Sequence, residues 1–323
     1  MLTRRQLLLG LTAAGVSRAA GPFPEGARPT LIGAVNANEG PVWHPEHGLL
    51  FTGRGNITRR GLDGTISVFR ENAGANGLLV DGEGRLNVCE ARAGRVTRTE
   101  ADGSTTVLAD GFEGHRFNSP NDLTIDSKGR LYFSDPRYGS RDGMEVLDES
   151  GREVEGVYRI DAPGVVERVI THEVDRPNGL LVAPNDEYLY VADNNNNAVG
   201  GARKLWRFPL TPDGKIARSG KKLVFDWQDS RGPDGMEMDR EGRLFVAGGL
   251  NRTNLPHETN RFKGGVYVLS ADGESLDFVR VPTDEVTNCA FGGPDGKTLF
   301  ITAGGELWGI PTSAAGWFPF AER

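Results

Sequence analysis

The run Arg176–Asn194, RPNGLLVAPNDEYLYVADN, decides the fold of this chain. It reads as a turn, an apolar strand, a second turn and a second apolar strand. Two apolar runs joined by a short polar turn are typical of a β-hairpin. The same pattern recurs along the chain, and its copies begin at six positions: Glu39, Asn76, Asn121, Asn178, Asp234 and Asn288.

The spacing of these copies indicates a propeller. Repeats of roughly 40–50 residues, with about four strands each, are typical of β-propeller blades. The sequence therefore predicts an all-β, six-bladed propeller formed as a single domain by residues 21–323. An ordinary β-sandwich is the alternative, but six matches in the same order are hard to obtain by accident.

The two ends of the domain predict how the ring closes. The last blade has Glu306–Ile310 as its third strand and little strand-like sequence after it. Because a propeller has to protect its strand edges, we expect the strand at 30–35 to supply the outer strand of that blade. The tail from Ser313 to Arg323, which includes Trp317, Phe318 and Phe320, is expected to pack on the surface or against an edge.

The first residue of each copy carries oxygen. If the first strand of each hairpin is innermost, these residues surround one mouth of the central channel, and every one of them is Asp, Glu or Asn. Converging carboxylate and carboxamide oxygens suit a hard cation such as Ca²⁺. The alternative is that Asn-Gly and Asp-Gly are turn chemistry before a strand.

Loops after the second strand of each hairpin should lie on the same face as this ring, because that strand runs back toward the mouth. They include Asp135–Gly139, Asp193–Asn197 and Gly248–Asn251, and two polar insertions, Ser140–Glu155 and Asn251–Lys263, belong to the same face. Loops gathered over a rigid scaffold commonly form sites. Any one of these residues is equally well explained as a solvated turn.

The histidines divide between the two faces. His115 and His257 are expected on the mouth side and are candidates for a role there. His44 and His47 fall in a turn at the opposite end and are expected to be structural.

Residues 1–20 differ from the rest of the chain. Arg4 and Arg5 precede an apolar run that reaches Val16, and small residues follow, with Ala19 the simplest cleavage point. This pattern predicts a twin-arginine signal peptide and a periplasmic or secreted protein. An uncleaved basic anchor is the alternative.

Composition excludes some partners. The 323 residues carry a formal net charge of −7, which argues against nucleic acid and anionic membranes as partners. Beyond the leader, no stretch has the 18 or more apolar residues of a membrane span. Cys89 and Cys289 either pair as a disulfide in an oxidising compartment or remain separate as small buried side chains.

Four motifs in register with the repeats resemble those of the gluconolactonase/regucalcin (senescence marker protein) family. They begin at Glu39 (EGPVW), Ser119 (SPNDL), Pro177 (PNGL) and Pro233 (PDGM), and Thr287–Gly293 resembles that family's last-blade motif. The similarity covers about residues 30–312. More distantly, the chain is similar to paraoxonase and diisopropylfluorophosphatase.

The resemblance implies a six-bladed propeller with one catalytic divalent cation in the mouth. By motif, its ligands would be Glu39, Asn121, Asn178 and Asp234. Ca²⁺ is favoured, with Zn²⁺, Mn²⁺ or Mg²⁺ as alternatives. The activity expected is hydrolysis of a lactone, most simply a sugar lactone, with Asp234 as catalytic base or nucleophile.

Substrate contacts are less defined by the motifs. The candidates are Asn121, Arg137, Tyr138, Asn194, His115 and Asn288. The regucalcin branch has an Arg two residues before the blade-3 Asn, whereas this chain has Ser119, so Arg116 or Arg137 is the candidate replacement.

Two other functions stay open on the sequence. One is a metal-dependent phosphotriesterase or aryl esterase that uses the same ion. The other is a non-catalytic calcium-binding propeller whose mouth holds a ligand or a protein, since propellers host many functions. We expect a small-molecule partner and a monomer or weak dimer.

Overall fold

A computed structural model of the protein describes residues 21–319. These residues form six four-stranded antiparallel sheets and a single 3-10 turn at Arg218–Gly220. In five blades the strand order follows the chain. The bounds of the first three blades are β2 Glu39–His44, β3 Gly48–Gly53, β4 Asn56–Arg60 and β5 Ile66–Arg70; β6 Leu78–Val80, β7 Leu86–Glu90, β8 Arg95–Thr99 and β9 Thr105–Ala109; β10 Leu123–Ile125, β11 Leu131–Asp135, β12 Gly156–Ala162 and β13 Val165–Ile170.

The other three blades follow the same plan, with one exchange at the end. Their strands are β14 Pro177–Val182, β15 Tyr188–Asn194, β16 Arg203–Pro209 and β17 Lys222–Asp226; β18 Pro233–Met238, β19 Leu244–Gly248, β20 Gly265–Leu269 and β21 Ser275–Arg280; β22 Val286–Gly292, β23 Thr298–Ala303 and β24 Gly305–Pro311, with β1 Thr30–Ala37 outside β24. Thr30 pairs with Gly309 and Ala34 with Glu306. The predicted six-bladed propeller closed by an N-terminal strand is therefore confirmed.

The apolar core lies between the blades. Because successive side chains of a strand point to opposite faces, each inner strand contributes to two different layers. Leu49 and Phe51 pack toward blade 6, whereas Leu50 packs toward blade 2. Likewise Leu244 faces blade 4 and Phe245 faces blade 6. Every pair of neighbouring blades shares one such cluster, so the blades are held side by side around the channel.

Aspartates stabilise three of the inner hairpin turns. Asp81, Asp126 and Asp239 each accept hydrogen bonds from two backbone N–H groups of the turn that follows. Each also forms an ion pair with the arginine four residues later, at 2.6–2.9 Å. These local bonds fix where the first strand of each blade ends and the second begins.

The C-terminal tail lies across the mouth opposite the ring. Trp317 N donates to Met238 O, Arg240 N donates to Ala315 O, and Trp317 and Phe318 border the far end of the central channel. The tail was expected on the surface or against an edge, and in the structure it covers one end of the channel. Phe320 lies outside the described residues, as does the predicted signal peptide, which stays a prediction.

The two polar insertions lie between the strands where the sequence placed them. The two insertions connect β11 to β12 and β19 to β20. Cys89 and Cys289 are free and buried in two different inter-blade clusters, as separate apolar side chains would be. No helix within residues 21–319 is long and apolar enough to cross a membrane.

Candidate functional site

Glycines bring the six ring positions into contact around the axis. A β-carbon on Gly40 would lie 2.2 Å from Asn76 O, and one on Gly77 would lie 2.5 Å from Asn121 O. Farther round, a β-carbon on Gly179 would lie 2.1 Å from Asp234 O. Real β-carbons do not approach other atoms so closely, so the missing side chain is what allows each blade to meet the next. The ring is thus built by the glycine that follows most of its members.

Three further contacts complete the circle. A β-carbon on Gly235 would lie 2.0 Å from Asn288 Cγ, which joins the blade-5 and blade-6 members. Leu180 N donates to Asp122 Oδ2 at 3.1 Å, which joins the blade-3 and blade-4 members. Asn288 Nδ2 lies 3.5 Å from Glu39 Oε2, which joins the last blade to the first. The structure therefore places Glu39, Asn76, Asn121, Asn178, Asp234 and Asn288 in a closed ring, in chain order.

Asp234 carries an oxygen that is buried and unused. Within the described part of the chain, Asp234 Oδ1 has no hydrogen-bond partner. Burial raises the pKa of Asp234 to about 7, although the nearby Arg231 guanidinium acts in the opposite direction. A carboxylate in this state can hold or release a proton near neutral pH.

Glu39 faces the same space. It accepts a hydrogen bond from Gly40 N at 3.3 Å and lies beside Asn288. Burial raises the pKa of Glu39 well above its ordinary value, and the Asp234 and Asp122 carboxylates raise it further. Close, buried, like-charged groups of this kind are costly unless a cation or a proton compensates them.

Asn178 and Tyr138 form a direct pair at the mouth. Asn178 is buried, and its Nδ2 donates to Tyr138 Oη at 2.7 Å. Tyr138 Oη in turn donates to Asn194 O at 3.3 Å. The structure thus brings the predicted substrate contact Tyr138 onto the predicted ligand Asn178.

The other predicted contacts have varied surroundings. Asn121 and Asn288 are buried ring members, and Asn194 is fully buried with both side-chain polar atoms unpaired within residues 21–319. Arg137 instead directs its guanidinium into the blade-3 insertion, where it bonds to Ser140 O and Asp142 O.

Arg116 and the histidines are mostly engaged in structural contacts. The Arg116 guanidinium is bonded to backbone carbonyls, including Arg92 O at 2.9 Å. His115 is exposed in a tight turn with Phe112, and His257 lies in the blade-5 insertion. His44 Nε2 lies 3.0 Å from Gly84 O, and backbone N–H groups bond to its Nδ1, which fits the structural role expected of it.

Sequence reasoning missed two carboxylates inside the channel. Asp122 and Glu237 line the cavity that extends from the ring to the C-terminal tail. Burial raises the pKa of Asp122 to about 6, and burial together with Asp122 raises that of Glu237 to about 8. The available signal was their position, Asp122 directly before the first strand of blade 3 and Glu237 on the first strand of blade 5, where side chains alternate between two faces.

Two arginine–glutamate pairs beside the ring were also missed. Arg176 bonds to Glu155 through Nε and Nη2 at 2.7 and 3.1 Å, and Arg231 bonds to Glu258 at 2.8 and 3.0 Å. Each glutamate belongs to a long insertion, and each arginine lies two or three residues before a ring member. Each insertion is thus joined to the mouth by a largely buried ion pair.

The donor set fits a hard cation that takes carboxamide oxygens as well as carboxylates. Within residues 21–319, no group of three or more His, Cys, Asp or Glu side chains is placed to hold a metal. The ring offers only two carboxylates, Glu39 and Asp234, and the rest of its oxygens come from Asn side chains. Together with the orphaned Asp234 oxygen, such a set suits Ca²⁺ better than a softer metal.

Comparisons with known proteins agree with this architecture. The model of the family described as the SMP-30/Gluconolactonase/LRE-like region matches residues 37–305. A gluconolactonase of Zymomonas mobilis is 30% identical over 309 residues, which cover 87% of this chain and 80% of that protein. The pentonolactonase XacC of Haloferax volcanii is 28% identical, with 83% and 82% covered.

A solved structure gives the same result. The structure of a gluconolactonase from Xanthomonas campestris superposes with a TM-score of 0.73 at 29% identity, covering 90% of this chain and 91% of that one. Fold and sequence similarity thus agree over nearly the whole described region. The chain belongs to the SMP-30/gluconolactonase/LRE-like family.

Proposed function

We propose that this protein is a divalent-cation-dependent lactonase whose substrate is a sugar lactone. The observation that carries the proposal is the buried, unpartnered Oδ1 of Asp234 in a closed ring of Asn, Glu and Asp residues. The similarity to gluconolactonase and pentonolactonase supports the substrate class. Ca²⁺ is the proposed cation.

Four ring residues are assigned to the cation. Glu39, Asn121, Asn178 and Asp234 would hold it, and when bound it would polarise the ester carbonyl of the lactone. A cation there would also compensate the buried carboxylates, whose raised pKa values reflect burial and mutual repulsion.

Asp234 is the proposed base. Its carboxylate would take a proton from the attacking water and later return it to the alkoxide that leaves when the ring opens. Asn288 is its neighbour in the ring and Asn121 lies two positions away, and both carry amide groups able to bond to substrate oxygens. Tyr138 and Asn194 border the same mouth.

Export by the twin-arginine route is part of the proposal. It rests on the paired Arg4 and Arg5 and the apolar run after them. Processing of the precursor in bacterial fractions would test it, with Arg4→Lys/Arg5→Lys as the variant expected to stay in the cytoplasm.

The activity is tested by hydrolysis of glucono-1,5-lactone before and after chelation, followed by readdition of Ca²⁺. We expect turnover that is lost with chelator, restored by Ca²⁺ and absent in Asp234→Asn. Asp277→Asn, on an exposed outer strand, is the matched control and should act as wild type.

Other outcomes separate the alternatives. Turnover of a phosphotriester or aryl ester with none of any lactone would favour the other hydrolase. Tight Ca²⁺ binding without turnover on a lactone panel would favour a non-catalytic propeller. Lactone turnover that resists every chelator would contradict the metal-dependent reading.

A further inference from the structure

We propose that Tyr138 is a positioning residue that turns the carboxamide of Asn178 so that its oxygen faces the cation. This inference rests on the proposed cation site. A carboxamide can ligate a cation only through Oδ1, because Nδ2 carries two protons and no free lone pair. A site that uses Asn therefore needs a group that holds the amide nitrogen away from the ion.

Tyr138 meets that need in the structure. Its Oη accepts a hydrogen bond from Asn178 Nδ2 at 2.7 Å, and its own proton is directed to Asn194 O at 3.3 Å. Because the hydroxyl proton is committed to Asn194, the side of Tyr138 that meets Asn178 is an acceptor. An amide turned the other way would present Oδ1, which would compete with Asn194 O for the single hydroxyl proton, so one of the two hydrogen bonds would be lost.

Tyr138 itself is held by a charge pair. The residue is 37% exposed, so one side of it faces solvent. The Arg176 guanidinium carbon lies 5.1 Å from the centre of the Tyr138 ring, a cation–π distance. Arg176 is bonded at two points to Glu155, and both of these charged residues are buried.

The insertion between β11 and β12 is thereby connected to the ring. Glu155 is the last residue of the Ser140–Glu155 insertion, and it also accepts a hydrogen bond from Arg137 N at 2.7 Å. The contacts run from Glu155 to Arg176, then to Tyr138, and end at Asn178. Outer-shell partners of this kind typically change metal affinity or activity by about 10–100-fold when removed.

A second tyrosine gives a matched control. Arg207 lies over the Tyr188 ring at 4.2 Å, the same arginine-over-tyrosine arrangement, at the start of β15. Asn194, at the other end of that strand, is beside the mouth. Tyr188→Phe therefore removes a tyrosine hydroxyl from a comparable setting and leaves the six residues at the mouth unchanged.

The test is calorimetric titration of Ca²⁺ into metal-depleted full-length protein. Tyr138→Phe keeps the aromatic side chain and removes its hydroxyl. We expect the dissociation constant of this variant for Ca²⁺ to rise by about 10–100-fold. Tyr188→Phe should bind as wild type. In an Asn178→Ala background, Tyr138→Phe should cause little further loss, because it acts through Asn178.

The outcomes separate this inference from the proposed function. Wild-type affinity in Tyr138→Phe would overturn the inference, and so would an undiminished effect in the Asn178→Ala background. A wild-type protein that binds no divalent cation would overturn the cation site and this inference together. An unchanged melting temperature of metal-free Tyr138→Phe would exclude general destabilisation as the cause.

Discussion

A β-carbon placed on Gly235 would lie 2.0 Å from Asn288 Cγ, so the blade-5 and blade-6 members of the ring meet through a glycine. The same arrangement joins Gly179 to Asp234 O at 2.1 Å. Neither glycine has a positive φ, so the need for glycine here comes from close approach of neighbouring blades and not from backbone conformation.

We predict that Gly235→Ala destabilises the protein by about 1–3 kcal/mol, because an added methyl group in a tight contact forces its neighbours apart. The variant should also weaken lactone hydrolysis by displacing Asn288. Urea unfolding measures the first effect. The control is Gly33→Ala on the outer strand β1, where the added carbon would meet only a Val35 side-chain methyl at 3.3 Å. Equal stability of the two variants would count against the close-packed ring.

Cation binding should stabilise the folded protein. A ligand at about 100 times its dissociation constant adds roughly 2.7 kcal/mol to the free energy of unfolding. We therefore expect Ca²⁺ to raise the melting temperature of chelator-treated protein, with Glu39→Gln losing most of the rise. Glu46→Gln, in the exposed turn at the far end of the same hairpin, is the control and should retain it. A rise of the same size in Glu39→Gln would remove Glu39 from the ligand set.

Arg231 should set the acid limb of the pH–rate profile. With Asp234 as the proposed base, we expect the rate to fall when Asp234 is protonated, and the Arg231 guanidinium lowers the pKa of Asp234. Removing that charge in Arg231→Gln should raise this pKa and move the limb of kcat/KM to a pH about one unit higher. Arg231→Lys keeps the charge and should move it less. A limb that stays in place in Arg231→Gln would argue that Asp234 is not the base.

Glu237 should make the metal-free protein less stable as pH rises. Burial, then Asp122, raises the pKa of Glu237 to about 8, above the value near 4.5 of an unperturbed Glu. The folded state binds this proton more tightly than the unfolded chain does, so the contribution of Glu237 to stability is fully present below about pH 4.5 and is lost as pH rises through about 8.

Glu237→Gln should remove this dependence. At pH 8 to 9 we expect the variant to be more stable than wild type, on the order of 1–3 kcal/mol, because no charge has to be buried. Glu274→Gln, exposed on the same blade, should leave the profile unchanged. Chemical denaturation at pH 5, 7 and 9 checks both variants, and a Glu237→Gln that is less stable at pH 9 would be contrary to the account.

Much of this architecture could be predicted because the repeat is visible in the chain. The copies at Glu39 and Asn288 are far apart in sequence, yet their equivalent positions predicted that they would meet, and they do. The outer strand at 30–35 was predictable for a related reason, since the last blade lacked a fourth strand.

Other parts of the site depend on contacts that no repeat encodes. The pairing of Glu155 with Arg176, and of Tyr138 with Asn178, joins residues of an irregular insertion to the blades. Loop conformation is set by tertiary packing, so sequence pattern placed these residues on the correct face but did not identify their partners. Asp122 was not predicted because its neighbour Asn121 is the residue that aligns with the other ring positions in the repeat.

The central claim is that Glu39, Asn121, Asn178 and Asp234 hold one cation on the propeller axis. The most direct measurement is the anomalous-scattering map of crystals soaked in Mn²⁺, a stand-in with its own signal. We predict one strong peak bounded by side-chain oxygens of all four residues, which disappears in Asp234→Asn. A map with no peak at the mouth, or with the peak held by other residues, would contradict the account.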